Sequence, residues 1–109
     1  MATTYKVLGQ SNPSATTATT LYTVPSLTST VVSTVSVCNQ ASTAGTFRIA
    51  VRPAGAALAA QHYLSYDTPI AANDTIALTL GLTLATTDVV TVYASSANMS
   101  FAAYGSEIS

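Results

Sequence analysis

From Ile76 to Leu84 every second residue is a large aliphatic, and the residues between them are Ala77, Thr79, Gly81 and Thr83. Side chains of a strand point alternately to its two faces, so this period of two makes one face greasy and the other small and hydroxylated. A helix cannot use such a pattern, because its repeat is 3.6 residues. The same grammar recurs along the chain. Phe47, Ile49 and Val51 alternate with Thr46, Arg48, Ala50 and Arg52. Val31, Val35 and Val37 are set against Val32, Thr34 and Ser36, and Met99, Phe101 and Ala103 against Ser100, Ala102 and Tyr104. Val90 and Val92 sit in a run from Asp88 to Ala94, and weaker runs cover Tyr5 to Leu8, Thr20 to Val24 and His62 to Tyr66.

Turn chemistry separates these runs: Asn12-Pro13, Pro25-Ser26, Asn39 to Gly45, Pro53-Ala54-Gly55, Ala72-Asn73-Asp74, Thr87-Asp88 and Ala97-Asn98. Seven or eight short strands at this spacing predict an all-β chain, a single antiparallel β-sandwich or jelly-roll-like domain. Gly81 marks a bend or bulge within its strand. The alanines of Ala54 to Gln61 favour helix, but Gly55 weakens it, so the segment reads as a loop with a short helical turn.

A chain of 109 residues has room for one domain and one modest core. Ser11 to Thr20 is a low-complexity stretch of Ser, Ala and Thr. Residues 1–20 therefore read as an N-terminal strand with an extended arm or loop, and residues 21–109 as the sandwich core. Met1 to Thr20 is the expected arm toward a neighbour.

Only 6% of residues are charged, against about 25% in an ordinary soluble domain. The net charge is -1. Solubility normally needs a charged surface, so this exterior reads as one built to be covered by neighbours. Without clustered Lys and Arg no nucleic-acid partner is expected. No apolar run approaches the roughly 20 residues that span a bilayer, so no membrane partner is expected. Met1-Ala2-Thr3-Thr4-Tyr5-Lys6 lacks a basic region followed by an apolar stretch, so no secretory signal is expected. A single cysteine allows no internal disulfide, which suits folding in a reducing cytoplasm.

Candidate chemistry is sparse. Cys38 ends a valine-rich run and reads as a buried small hydrophobe, because a reactive thiolate needs a cationic neighbour or a helix N-terminus. His62 is the lone histidine, and a zinc site needs three or four ligands. Only a trimer axis gathering three copies of His62 would supply them. Asp74 and Asp88 follow turn residues and read as caps of backbone N–H groups. No Gly-x-Ser-x-Gly elbow marks a serine nucleophile. No catalytic, cofactor-binding or metal-binding residue is assigned, and no cofactor is expected. Arg48 and Arg52 lie four apart on one strand, hence on one face, where the choice is between a solvated sheet face and contact with a partner. Tyr63 and Tyr66 suit either an interface or the margin of the core. These four are the candidate interface residues.

One resemblance covers most of the chain from Leu21 onward. Leu21-Tyr22-Thr23-Val24-Pro25, Val31-Val32-Ser33 and Val37-Cys38-Asn39 are followed by Phe47-Arg48-Ile49-Ala50-Val51-Arg52-Pro53. Leu80-Gly81-Leu82-Thr83-Leu84, Asp88-Val89-Val90 and the closing Gly105-Ser106-Glu107-Ile108 complete the set. In this order they resemble small β-sandwich virion structural proteins of tailed bacteriophages, cyanophages among them. The resemblance implies a non-enzymatic building block of the virion, assembled in the host cytoplasm. With the neutral exterior, it leads to the expectation of a homo-oligomer, with a trimer one option, that decorates and cements the phage head. Its partners would be itself and the major capsid protein. The alternative expectation is a tail, baseplate or fibre component among other tail proteins, touching a host glycan near Tyr63 and Tyr66. A small hydrolase would need a pocket joining His62 to Asp67 and a serine.

Overall fold

Alternating Thr, Val, Ile and Leu pack well on a half-buried pleated surface, and in the computed structural model, which describes residues 2–109, they do so as strands. Among the described residues there are eight: β1 (Thr3–Ser11), β2 (Thr19–Thr23), β3 (Ser29–Asn39), β4 (Gly45–Arg52), β5 (Tyr63–Ile70), β6 (Thr75–Leu84), β7 (Val89–Ala94) and β8 (Met99–Ile108). Two 3-10 turns, Pro53–Gly55 and Ala60–His62, lie in the long β4–β5 connection. The alanine-rich segment is thus a loop with short turns, as its glycine suggested.

The strands form two antiparallel four-stranded sheets, ordered β1-β8-β3-β6 and β2-β7-β4-β5. Every connection crosses between the sheets except β4 to β5. This interleaved eight-stranded sandwich is a jelly roll. Phe47 and Phe101, one from each sheet, meet edge to face at its centre with ring centroids 6.3 Å apart. Ile49, Ile70, Met99 and the valines of β3 and β7 close around them. Each such side chain contributes about 1.5–3 kcal/mol by leaving water.

The first sheet is bent. Register shifts occur in β1 between Val7 and Gly9, and in β3 between Val32 and Thr34. Opposite the second, β6 passes two residues, Leu80 and Gly81, against Ser33 alone. An extra residue in one strand kinks the sheet and increases its twist. These irregularities lie within about one residue step of each other across the sheet, so they act as one fold line. They also correct the reading of β3. Strict alternation groups Val31 with Val35 and Val37, but the bulge resets the phase, so Val32 is buried and Val31 only half-buried.

The N-terminal strand expected within residues 1–20 forms as β1, and of the arm or loop expected after it the structure shows a loop folded against the sandwich. β1 pairs with β8 from Thr3↔Ile108 to Ser11↔Phe101. The loop that follows is tied down by the Asn12 amide, which donates to the Met99 carbonyl at 2.6 Å, and by the Thr16 N–H, which donates to the Ala94 carbonyl at 2.8 Å. Met1 of that expected arm lies outside the described residues.

The two flanks of the sandwich differ. On one, β1 lies so close to β2 that a β-carbon at Gly9 would overlap the Leu21 carbonyl. On the other, no ladder joins β5 to β6. The greasy face of β6 therefore packs on the core without being sealed: Ile76, Leu78, Leu80 and Leu82 stay half-buried, and only Leu84 is fully buried.

Candidate functional site

The outer face of the second sheet gathers two of the chain's three cationic side chains and three of its six tyrosines. On β4 the inward set is Phe47, Ile49 and Val51, which turns Arg48 and Arg52 outward together, as their spacing required. Register places Tyr93 of β7 directly beside Arg48, and Thr91 beside Ala50. β5 supplies Tyr63, Tyr66 and Asp67 on the other side, where its register slips and Asp67 takes a positive φ of 48°.

Arg48 is held from three directions. Its Nε donates to Asp67 Oδ1 at 2.7 Å and its Nη2 to Oδ2 at 3.3 Å. The guanidinium carbon lies 4.1 Å from the ring centroids of both Tyr66 and Tyr93. A cation between two aromatic faces with a two-pronged carboxylate partner is a preorganised plate. The hydrogen bond to Asp67 is the main cause that raises the Arg48 pKa above its ordinary value.

Arg52 is used differently. Its Nε donates to Thr91 Oγ1 at 3.0 Å, and its Nη1 donates to the Gly55 and Ala56 carbonyls. It fastens the β4–β5 loop to the sheet. Asp88 helps from the other side, accepting the Ala54 N–H at 2.9 Å and the Ala85 N–H at 2.9 Å. Asp74 accepts the Thr75 N–H at 2.8 Å. Both aspartates thus cap backbone groups, as read from their turn positions.

Beside the Arg48 plate lies an open hollow of about 600 Å³, lined by Leu58, Ala59, Ala60, Tyr63 and Tyr66. Tyr63 and Tyr66 meet edge to face, 4.9 Å between centroids and 87° between planes. Tyr66 is 58% exposed. Of the four candidate interface residues, the structure brings Arg48, Tyr66 and Tyr63 into one cluster and leaves Arg52 on the same face as a loop anchor. Neither His62 nor Asp67 lines the hollow. His62 Nδ1 instead accepts the Ala59 N–H at 3.0 Å.

Cys38 corrects its sequence reading. It follows the inward Val37 and so faces out of the first sheet, half-buried beside Ser36, Ser100 and Tyr104 in a shallow groove of about 460 Å³. Ending a valine run told its neighbours' burial and not its own, because alternate residues face opposite ways.

A second polar cluster had no local signal. Tyr22 on β2 shares a 2.8 Å hydrogen bond with buried Thr30 Oγ1 and donates to Glu107 Oε2 at 2.5 Å. Lys6 Nζ lies 3.1 Å from Glu107 Oε1. Burial, with the bond to Glu107 next, pushes the Tyr22 phenol up to about 12. The bond from Tyr22, and then Lys6, hold Glu107 below its ordinary value against the cost of partial desolvation.

Among the described residues, each of the three cationic and four acidic side chains makes at least one bond within the fold. No group of three or more His, Cys, Asp and Glu converges on a metal-sized site among them. The exterior between these clusters is Thr, Ser and Ala, with Tyr5 and Leu27 projecting at 84% and 92% exposure. No family model, curated protein or solved structure matches the chain.

Proposed function

We propose that this chain is a non-enzymatic structural protein of a virion, a self-associating block that decorates a phage head and cements the junctions of its major capsid protein. The observation that carries this reading is a surface with only seven charged side chains, each tied to a partner within the described residues, beside exposed Tyr5, Leu27 and Tyr66. Such a surface is poorly suited to solitary life in water. It is well suited to many small contacts, because Thr, Ser and Ala lose little side-chain freedom when covered. Repeated over many copies, weak contacts hold a shell by avidity. The jelly roll supports the reading by analogy alone, since viral capsid domains, lectins and cupins all use it. A tail-fibre role with a sugar on Tyr66 is less well supported, because Arg48 covers one face of that ring and Tyr63 packs against it.

Electron microscopy of purified particles labelled with an antibody to this chain tests the proposal. Label over the head is expected. Label confined to tails, or particles that carry none, would overturn it.

A further inference from the structure

The edge of a sheet presents a row of unpaired backbone N–H and C=O groups, and natural proteins blunt such edges with charges, prolines, bulges or very short strands. Three of the four edges here are blunted. β1 carries Lys6 and a register shift next to it. β2 is five residues long and lies against β1. β5 carries Asp67 at positive φ and Pro69. β6 has neither charge nor proline over ten residues. Its irregularity at Leu80 and Gly81 leaves Thr75 to Thr79 in unbroken register with β3. Along that stretch Ile76 and Leu78 remain half-buried because no strand of the other sheet pairs on that flank.

We propose that the Thr75–Thr79 edge is a self-pairing surface that takes the same segment of a second copy, antiparallel, about a two-fold axis through Ala77. The proposal rests on the reading that this chain assembles with itself, and it names the contact. The unpaired backbone specifies the occupant as an extended strand. The side chains specify it as another copy. With Ala77 opposite Ala77 of the second copy, Ile76 faces Leu78 and Thr75 faces Thr79. Aliphatic meets aliphatic on the inner face and hydroxyl meets hydroxyl on the outer, with no charge to repel. Residue i meets j and j meets i, as a two-fold interface demands. The two first sheets become one eight-stranded sheet, and Ile76 and Leu78 of each copy gain an aliphatic neighbour.

Ala77 is exposed, so a charge there is compatible with the fold and sits opposite itself across the axis. Light scattering of the wild-type protein is expected to give twice the chain mass of 11.1 kDa. Ala77→Lys and Ala77→Glu should each halve that mass with an unchanged circular dichroism spectrum. An equal mixture of the two should restore it, and the neutral Ala77→Thr should leave it alone. A monomeric or trimeric wild type, or charge variants that still dimerise, would overturn the pairing. Labelled heads with a monomeric protein would remove this contact and leave the virion role standing, whereas an Ala77-dependent dimer absent from particles would do the reverse.

Discussion

Tyr22 and Glu107 stand 85 residues apart in sequence, yet the phenol donates to the carboxylate at 2.5 Å. The bond joins β2 of one sheet to β8 of the other. Thr30 of β3 and Lys6 of β1 extend it, so four strands from both sheets meet in one polar cluster. Aliphatic burial is non-directional, whereas hydrogen bonds weaken steeply with angle. The cluster therefore aligns the sheets at this end of the sandwich.

Acid should loosen that alignment. Glu107 is held below its ordinary value of 4.5 in the folded protein, chiefly by Tyr22. Its stabilising contribution is complete above the unfolded value and is lost as pH falls through the lower folded value. Urea midpoints measured at pH 7 and about pH 3 should therefore fall more for the wild type than for Glu107→Gln. Equal losses in the two proteins would show that the bond is not felt.

Alkali acts through the other partner. The Tyr22 phenol is pushed up to about 12, so the folded state keeps a proton that the unfolded chain releases near its ordinary value of 10.0. A raised value contributes stability that is intact below the unfolded value and lost as pH rises through the folded one. Ultraviolet titration of the phenolates should show a late step from Tyr22. Tyr22→Phe should abolish that late step and flatten the loss of stability between these two values.

Two glycines should respond to alanine for different reasons, one conformational and one steric. Gly81 has a φ of 60° with open space around its missing side chain, so Gly81→Ala should cost only the left-handed conformation, about 1–2 kcal/mol. Gly105 lies at the fold line, where a β-carbon would overlap the backbone carbonyl of Val31. Since β3 cannot retreat without breaking its ladder to β8, Gly105→Ala should be the more damaging change in thermal unfolding.

Asp88 receives two backbone N–H groups from different loops, those of Ala54 and Ala85. Asp88→Ala leaves both of these exposed N–H groups to water, at a cost of about 0.5–1.5 kcal/mol. Hydrogen exchange should rise at Ala54 and Ala85 while the amides of β8 keep their protection.

How much of this was legible in advance depends on the range of the interaction. The strands of Gly45–Arg52 and Thr75–Leu84 declared themselves because alternation is a property of neighbours. Arg48 and Arg52 shared a face for the same reason, and Tyr63 and Tyr66 were close by spacing. That Arg48 would lie between Tyr66 and Tyr93 and grip Asp67 was not readable, because it follows from β4 sitting between β5 and β7 and from a register slip in β5. The phase of Val31 and Val32 was misread for a related reason: nothing in β3 itself marks the bulge at Ser33, although Gly81 marked its counterpart in β6.

By itself, then, the amino-acid order determined an all-β sandwich, the approximate order of its strands and turns, and a surface with few charged residues. Period-two burial, turn chemistry and composition are all local quantities. The tertiary structure alone decided which edge stays open, which way Cys38 faces and which partner each charged group takes. Those outcomes depend on strand order and register, which are set by packing two sheets together and leave no trace along a single strand.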